Sequence, residues 1–125
     1  YNGDKNSVKS DAVAGLIPYT PTGLKVTKVT SSTIDLAWNK LTLDVSGRGQ
    51  IFYEVFRLPS PTAPRPYTCI GIYDQTRNFN TSYNLRSGTT YYYCIRAYYR
   101  YIDSNGVARR IYGDYSSIIK KTTKS

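Results

Sequence analysis

Tyrosine and arginine are the residues of this chain whose types and spacing could support recognition chemistry. Six of its 14 tyrosines fall within the eleven positions from Tyr91 to Tyr101, and Arg96 and Arg100 are interleaved with them. An aromatic ring can stack on a sugar, and tyrosine together with arginine is the composition of binding hot spots. The segment is therefore a core strand, a contact surface, or a strand that serves as both.

The sequence contains few of the residues and motifs that support catalysis. The chain has no histidine, which is the usual general base and the commonest metal ligand. Its two cysteines, Cys69 and Cys94, do not form the C-x-x-C spacing of a zinc site. The acidic residues are isolated in sequence, and no glycine-rich phosphate loop is present. We therefore predict a protein that is not an enzyme, with no cofactor and no metal site.

Length and charge limit the remaining classes. A chain of 125 residues is long enough for one domain with its own core. The net charge of +9 comes from scattered basic residues, and the longest basic runs are Arg109-Arg110 and Lys120-Lys121. Such scatter favours a solvated surface over a nucleic-acid interface, and no apolar run is long enough to span a bilayer. We expect a monomer with no nucleic-acid partner and no membrane insertion.

Short runs of β-branched and aromatic residues, bounded by Gly, Pro, Asn and Ser, predict strands and no helix. The predicted strands are 23–30, 33–39, 50–58, 67–73, 82–85, 89–102 and one within 107–123. The proline-rich segment 60–66 should be a loop. The Asn105-Gly106 step predicts a type I′ turn, so that 98–102 and 107–112 pair as a hairpin extending beyond the other strands.

Alternation along these strands separates two faces. Tyr53 and Val55 share the predicted core face with Tyr91 and Tyr93. The predicted outer face holds six candidate residues for a ligand or partner surface, namely Phe52, Phe56, Tyr92, Arg96, Tyr98 and Arg100. Exposed rings beside arginines would be unusual on a domain that only separates others. The alternative is that the hairpin, the proline-rich loop or neighbouring domains cover these rings.

Five stretches together resemble a fibronectin type III domain over residues 21–123. They are PTGLKV (21–26), STIDLAW (32–38), YEVFR (53–57), NLRSGTTYYYCIRAY (84–98), and YSS followed by KTT near the end. The most specific piece, LRSGTTY (85–91), resembles the family's Leu-x-Pro-Gly-Thr-x-Tyr corner with Ser87 in place of proline. YGDYS (112–116) only loosely resembles the Trp-Ser-x-Trp-Ser box of cytokine receptors and is not taken as one.

The resemblance implies a seven-stranded antiparallel immunoglobulin-like β-sandwich with an extended hairpin between the last two strands. Trp38, Leu85 and Tyr91 become its structural core markers, with the Tyr91 hydroxyl bonded to nearby backbone. Cys69 and Cys94 then lie on strands that flank the third strand, about 9–10 Å apart. A disulfide requires Cα atoms within about 7 Å, so we predict two free thiols.

Residues 18–125 should form this domain, and residues 1–17 an N-terminal tail. An Asn-Gly step followed by a Ser- and Val-containing segment suggests that the tail is the last strand of a preceding module. The resemblance implies the kind of domain found in bacterial secreted or surface multidomain proteins. We therefore expect an extracellular or cell-surface location, with neighbouring domains of the same polypeptide as partners.

Two functions follow as expectations. The first is that of a non-catalytic spacer and protein-interaction module. The alternative is binding to a polysaccharide through the aromatic face, or to an anionic cell-wall polymer through Arg96, Arg100, Arg109 and Arg110. The sequence leaves the choice between them open.

Overall fold

Alternating side chains of the long strands place one face of each sheet in a shared core. The computed structural model describes residues 18–42 and 49–125. Its strands are β1 (Lys25–Val29), β2 (Ile34–Ala37), β3 (Gln50–Leu58), β4 (Thr68–Asp74), β5 (Phe79–Ser82), β6 (Thr90–Ile102), β7 (Ala108–Tyr112) and β8 (Ile119–Thr122). The three-stranded sheet has the order β1-β2-β5, and the five-stranded sheet has the order β4-β3-β6-β7 with β8 also paired to β6. The predicted antiparallel sandwich is confirmed, and the predicted tail 1–17 lies outside the described residues.

The core between the sheets contains the residues that alternation assigned to it. β2 contributes Ile34, Leu36 and the adjoining Trp38, and Trp38 is only 2% exposed. The Trp38 ring meets the ring of Tyr53 edge to face, with the centroids 5.5 Å apart. β6 contributes Tyr93, Ile95, Ala97 and Tyr99. The part of the chain that the structure describes contains no helix that is long and apolar enough to cross a bilayer.

The predicted tyrosine corner is confirmed. The backbone N–H of Arg86 donates to the Tyr91 hydroxyl at 2.8 Å. Leu85 is buried beside it, and its N–H donates to the Ser32 carbonyl at 2.9 Å. These bonds fix the connection between β5 and β6 from both sides.

The final strand is divided, so residues 18–42 and 49–125 contain eight strands where seven were predicted. β7 and β8 both pair with β6, and residues 113–118 separate them. Within this segment the Ser116 hydroxyl accepts the Ile95 N–H at 3.0 Å, a place that a backbone carbonyl takes in a regular strand. Gly113 is buried, and a Cβ there would lie 2.6 Å from the Pro18 carbonyl oxygen. A side-chain acceptor and a close backbone contact therefore interrupt the strand.

The fifth strand lies earlier than predicted, at Phe79–Ser82 instead of 82–85. Its inward residues are polar: Asn80 accepts a hydrogen bond from the Tyr73 hydroxyl, and Ser82 accepts one from Arg57 at 3.2 Å. Asn84, at φ 59°, leaves the extended conformation. The apolar alternation that identifies the other strands is therefore absent from β5.

The two ends of residues 18–125 are anchored at separate places along β6. Pro18 is buried against Gly113, whose N–H donates to the Ala97 carbonyl at 2.8 Å. Thr123 is 3% exposed and receives the Thr89 N–H at 3.0 Å, beside the first residue of β6. At about 3.3 Å per strand residue, these anchors are separated by roughly 23 Å along the strand. We call the Pro18 end, where the β6–β7 hairpin also lies, the N-terminal pole.

Candidate functional site

The six residues predicted for the outer face do lie together on the outer face of the five-stranded sheet. Phe52 pairs with Tyr98, Phe56 with Cys94, and Leu58 with Tyr92 in the β3–β6 register. Arg96 and Arg100 occupy the neighbouring outward positions of β6, opposite Glu54 and Gln50. Strand parity therefore predicted correctly which side chains share this face.

The expectation that these rings are exposed is wrong. Phe56 and Tyr98 are each only 4% exposed, and Phe52 and Tyr92 are half-buried. Phe56 packs against the rings of Tyr67 and Tyr115, at centroid distances of 6.1 and 5.4 Å. Tyr98 is covered by Phe52 and Tyr112, at 5.2 and 5.4 Å. The proline-rich loop and the segment after the hairpin thus cover the aromatic face, which was the alternative that the sequence left open.

Arginines alternate with these tyrosines. The Arg96 guanidinium carbon lies 4.1 Å from the Tyr112 ring centroid and 4.8 Å from that of Tyr115. On the other side of Tyr115, Arg65 lies at 4.4 Å. Arg110 lies 5.0 Å from the Tyr98 ring centroid. We call these stacked residues the arginine–tyrosine stack: Arg65, Tyr115, Arg96, Tyr112, Tyr98 and Arg110. Each ring contact of the largely buried Arg96 contributes about 0.5–2 kcal/mol.

Glu54 neutralises the middle of the arginine–tyrosine stack. Its carboxylate accepts a hydrogen bond from Arg96 Nε at 2.6 Å, and Glu54 is 7% exposed. The arginine contacts the Tyr112 and Tyr115 rings and donates from Nε to a carboxylate, so its stacking contacts and its ion pair are formed within the fold. Arg96 therefore serves to hold the segment after β7 onto the sheet and is a poor candidate for an external ligand.

The predicted hairpin is confirmed, but its turn is not type I′. β6 and β7 pair from Tyr98–Tyr112 out to Ile102–Ala108, two positions beyond the last residue that β3 pairs with. In the turn only Gly106 has a positive φ, of 79°, and its N–H donates to the Asp103 carbonyl at 2.9 Å. This is a three-residue loop that ends in a left-handed glycine.

The Asp103 side chain explains why this loop is preferred. Its carboxylate accepts the N–H groups of Asn105 and Val107, each at 2.9 Å, and pairs with Arg109 Nε at 2.8 Å. The pKa of Asp103 is lowered most by the hydrogen bond from the Arg109 side chain and next by the hydrogen bond from the Val107 amide. A two-residue type I′ loop would forgo this set of bonds.

We expect the hairpin tip to loosen in acid because the pKa of Asp103 is lowered by folding. A carboxyl group whose pKa is lower in the folded state stabilises the fold. This stabilisation is complete at a pH above its unfolded-state pKa, near 3.9, and is lost as the pH falls through its folded-state pKa. The amide signals of Asn105 and Val107 should therefore move together below about pH 4 in an NMR titration. In Asp103→Asn this acid transition should disappear, whereas Asp114→Asn should retain it. A transition that persists in Asp103→Asn would contradict the assignment.

The cysteines occupy the positions predicted for free thiols. Cys69 and Cys94 both pair with Phe56 in their registers, one on each side of β3, so an entire strand separates them. Neither is bonded to the other. Burial raises the pKa of the Cys94 thiol to about 11, and burial also raises the pKa of Cys69. Both thiols are therefore protonated and poorly nucleophilic at neutral pH.

The residues that sequence reasoning missed are Arg65, Tyr67, Tyr112 and Tyr115. In the structure Arg65, Tyr67 and Tyr115 lie outside the strands, although Tyr67 was predicted to begin one, and Tyr112 is the last residue of β7. The one available signal was the pair of tyrosines three residues apart in YGDYS, directly after a β-hairpin. In the same described ranges, no three His, Cys, Asp or Glu side chains come together as metal ligands.

Comparisons with known proteins agree with this architecture. A fibronectin type III domain of the human KIAA0970 protein superposes with a TM-score of 0.64 at 17% identity, over 98% of this chain and 88% of that domain. The chain has a fibronectin type III fold. A crystal structure of titin domains matches with a TM-score of 0.57 and 24% identity over 87% of this chain, which spans only 33% of that fragment.

Part of an enzyme structure is also similar to this chain. The β-1,2-glucanase from Parabacteroides distasonis matches 89% of this chain with a TM-score of 0.59 at 18% identity, and the match covers 14% of the glucanase. No family model matches the chain, and no curated protein matches it in sequence. The likeness to the solved structures is one of fold, at 17% to 24% sequence identity.

Proposed function

We propose that this fibronectin type III fold is a non-catalytic module that separates and contacts neighbouring domains of a larger extracellular or cell-surface protein. The observation that carries the proposal is the anchoring of its two ends about 23 Å apart along β6, with Pro18 fixed at Gly113 and Thr123 fixed at Thr89. A domain whose two ends are both anchored to the same strand keeps the neighbouring domains at a fixed separation.

The N-terminal pole supplies a contact surface for such a neighbour. Tyr19 is 72% exposed, directly after the anchored Pro18. At the tip of the hairpin, Ile102 and Val107 are 55% and 47% exposed. Exposed apolar side chains are typical of a surface that a partner covers. The match to 14% of the β-1,2-glucanase supports a place for such a domain within a larger protein.

The location and the size of the parent protein test this proposal. An antibody raised against the chain should detect a polypeptide several times larger than 14.2 kDa in the extracellular or surface fraction of the source cells. Protease added to intact cells should remove the surface signal. A band near 14 kDa confined to the cytoplasm would overturn the proposal.

Limited proteolysis of the parent protein tests the contact surface separately. Tyr19→Ser combined with Ile102→Ser should accelerate cleavage just before Pro18, because the contact with the preceding domain is weakened. The matched control is Ile72→Ser, which removes a side chain that is 50% exposed but lies on β4 at the sheet edge. Equal acceleration by both variants would show that the N-terminal pole has no special role.

A further inference from the structure

The β6–β7 hairpin carries two arginines that form no ion pair within the described residues. Arg100 and Arg110 lie directly opposite each other in the antiparallel register and on the same face. Like charges in this position destabilise a strand pair. In residues 18–42 and 49–125 the ion pairs are Arg96 with Glu54 and Arg109 with Asp103, and neither involves these two guanidinium groups. The pair therefore has a structural cost, which Glu54 offsets only in part because its carboxylate is paired with Arg96.

One arginine of the pair, Arg110, is held in place by aromatic neighbours. The guanidinium of Arg110 lies 5.0 Å from the Tyr98 ring centroid, and its Nη1 donates to the Tyr112 hydroxyl at 3.5 Å. Tyr98 is itself stacked on Phe52 at 5.2 Å. A guanidinium that is already held against aromatic rings loses less conformational entropy on binding an anion than a free side chain does. The pair is thus prepared to receive an oxyanion.

A partly open aromatic ring lies beside this charge. Tyr112 is 42% exposed, although Arg96 is stacked on its ring at 4.1 Å. Its hydroxyl is the group that contacts Arg110. A ligand that fits both features has an apolar ring face next to a carboxylate. Sugar acids have that combination, because the carboxylate can meet the guanidinium fork while the pyranose face packs on the phenol.

We propose that Arg100, Arg110 and Tyr112 form a binding site for the uronic-acid units of an anionic polysaccharide. The two arginines bind the carboxylate, and Tyr112 contacts the sugar ring. The site differs from the broader anionic surface expected from the sequence, because Arg96 and Arg109 are already neutralised by Glu54 and Asp103. It does not depend on the proposed spacer function, since its binding can be measured on the isolated chain.

Titration of the full chain with polygalacturonate tests the site. Binding should be measurable calorimetrically in 50 mM NaCl and should weaken at least about fivefold in 300 mM NaCl, because salt screens the carboxylate contacts. Arg100→Gln and Arg110→Gln should each lower the affinity about fivefold or more, the loss expected for a charge-assisted hydrogen bond. Arg109→Gln is the matched control: it makes the same change in net charge one residue away, on the other face, and should change the affinity less than about twofold.

A second polyanion tests the contribution of the ring. Tyr112→Leu should weaken binding to polygalacturonate, whereas Tyr112→Phe, which keeps the ring stacked on Arg96, should bind within about twofold of the natural chain. Poly-L-glutamate has carboxylates and no sugar ring, so Tyr112→Leu should leave its affinity for the chain unchanged. Absence of binding in 50 mM NaCl, equal losses in Arg109→Gln and Arg110→Gln, or equally tight binding of polyglutamate would each overturn the proposal.

Discussion

Arg96→Ala should lower the free energy of unfolding by about 3–5 kcal/mol, the range for removing one partner of a buried ion pair. The substitution strands Glu54, which is 7% exposed and whose carboxylate is held at 2.6 Å by Arg96. It also removes the planar group between Tyr112 and Tyr115, so that these rings lose the cation on which they stack. A typical domain has only about 5–15 kcal/mol of stability, so this loss would leave the variant close to unfolding at 25 °C.

The magnitude can be measured because the chain contains one tryptophan, Trp38, which is buried in the core. Urea unfolding followed by its fluorescence should show a large decrease in midpoint for Arg96→Ala and a smaller one for Arg96→Lys, which keeps the charge but not the plane. Arg109→Ala breaks an ion pair of similar length whose arginine side chain is 56% exposed, and should lower the urea midpoint far less than Arg96→Ala does. Equal losses for Arg96→Ala and Arg109→Ala would mean that the arginine–tyrosine stack adds no stability.

The sequence predicted the faces of the sheet correctly because a strand repeats every two residues. The third strand was predicted at 50–58, and β3 has those bounds. Parity alone then placed Phe56 and Tyr98 on one side and Tyr53 and Tyr99 on the other, as the structure has them. Turn chemistry was less reliable, since Asn105-Gly106 suits a type I′ turn but the carboxylate of Asp103 selects another loop.

What covers a face could not be derived in the same way. Tyr67 and Tyr115 lie 48 residues apart, yet their ring centroids are 5.0 Å from each other above Phe56. No periodic pattern connects them, because each belongs to a segment without regular structure. The difference between an exposed binding face and a filled aromatic cluster therefore depended on long-range packing, which local alternation does not encode.

Phe56→Ala distinguishes these two states of the face, and we expect it to lower the free energy of unfolding by about 3 kcal/mol. Phe56 is 4% exposed and forms a second cluster with Leu58 and Cys94, against which Tyr67 and Tyr115 pack. Truncation would remove the side chain that these tyrosines contact and leave a cavity beneath them. The loss should appear in the urea midpoint measured by Trp38 fluorescence.

Tyr83→Ala provides the comparison, because this ring is 65% exposed and its removal should change stability by less than about 0.5 kcal/mol. The sequence had suggested that Phe56 stacks on a sugar, in which case Phe56→Ala would abolish binding and leave stability nearly unchanged. A change as small as that of Tyr83→Ala would restore that interpretation and place the open surface at Phe56. A large loss instead assigns Phe56 to the packing that holds the proline-rich loop and the segment after β7 on the sheet, and leaves Arg100, Arg110 and Tyr112 as the accessible part of the same face.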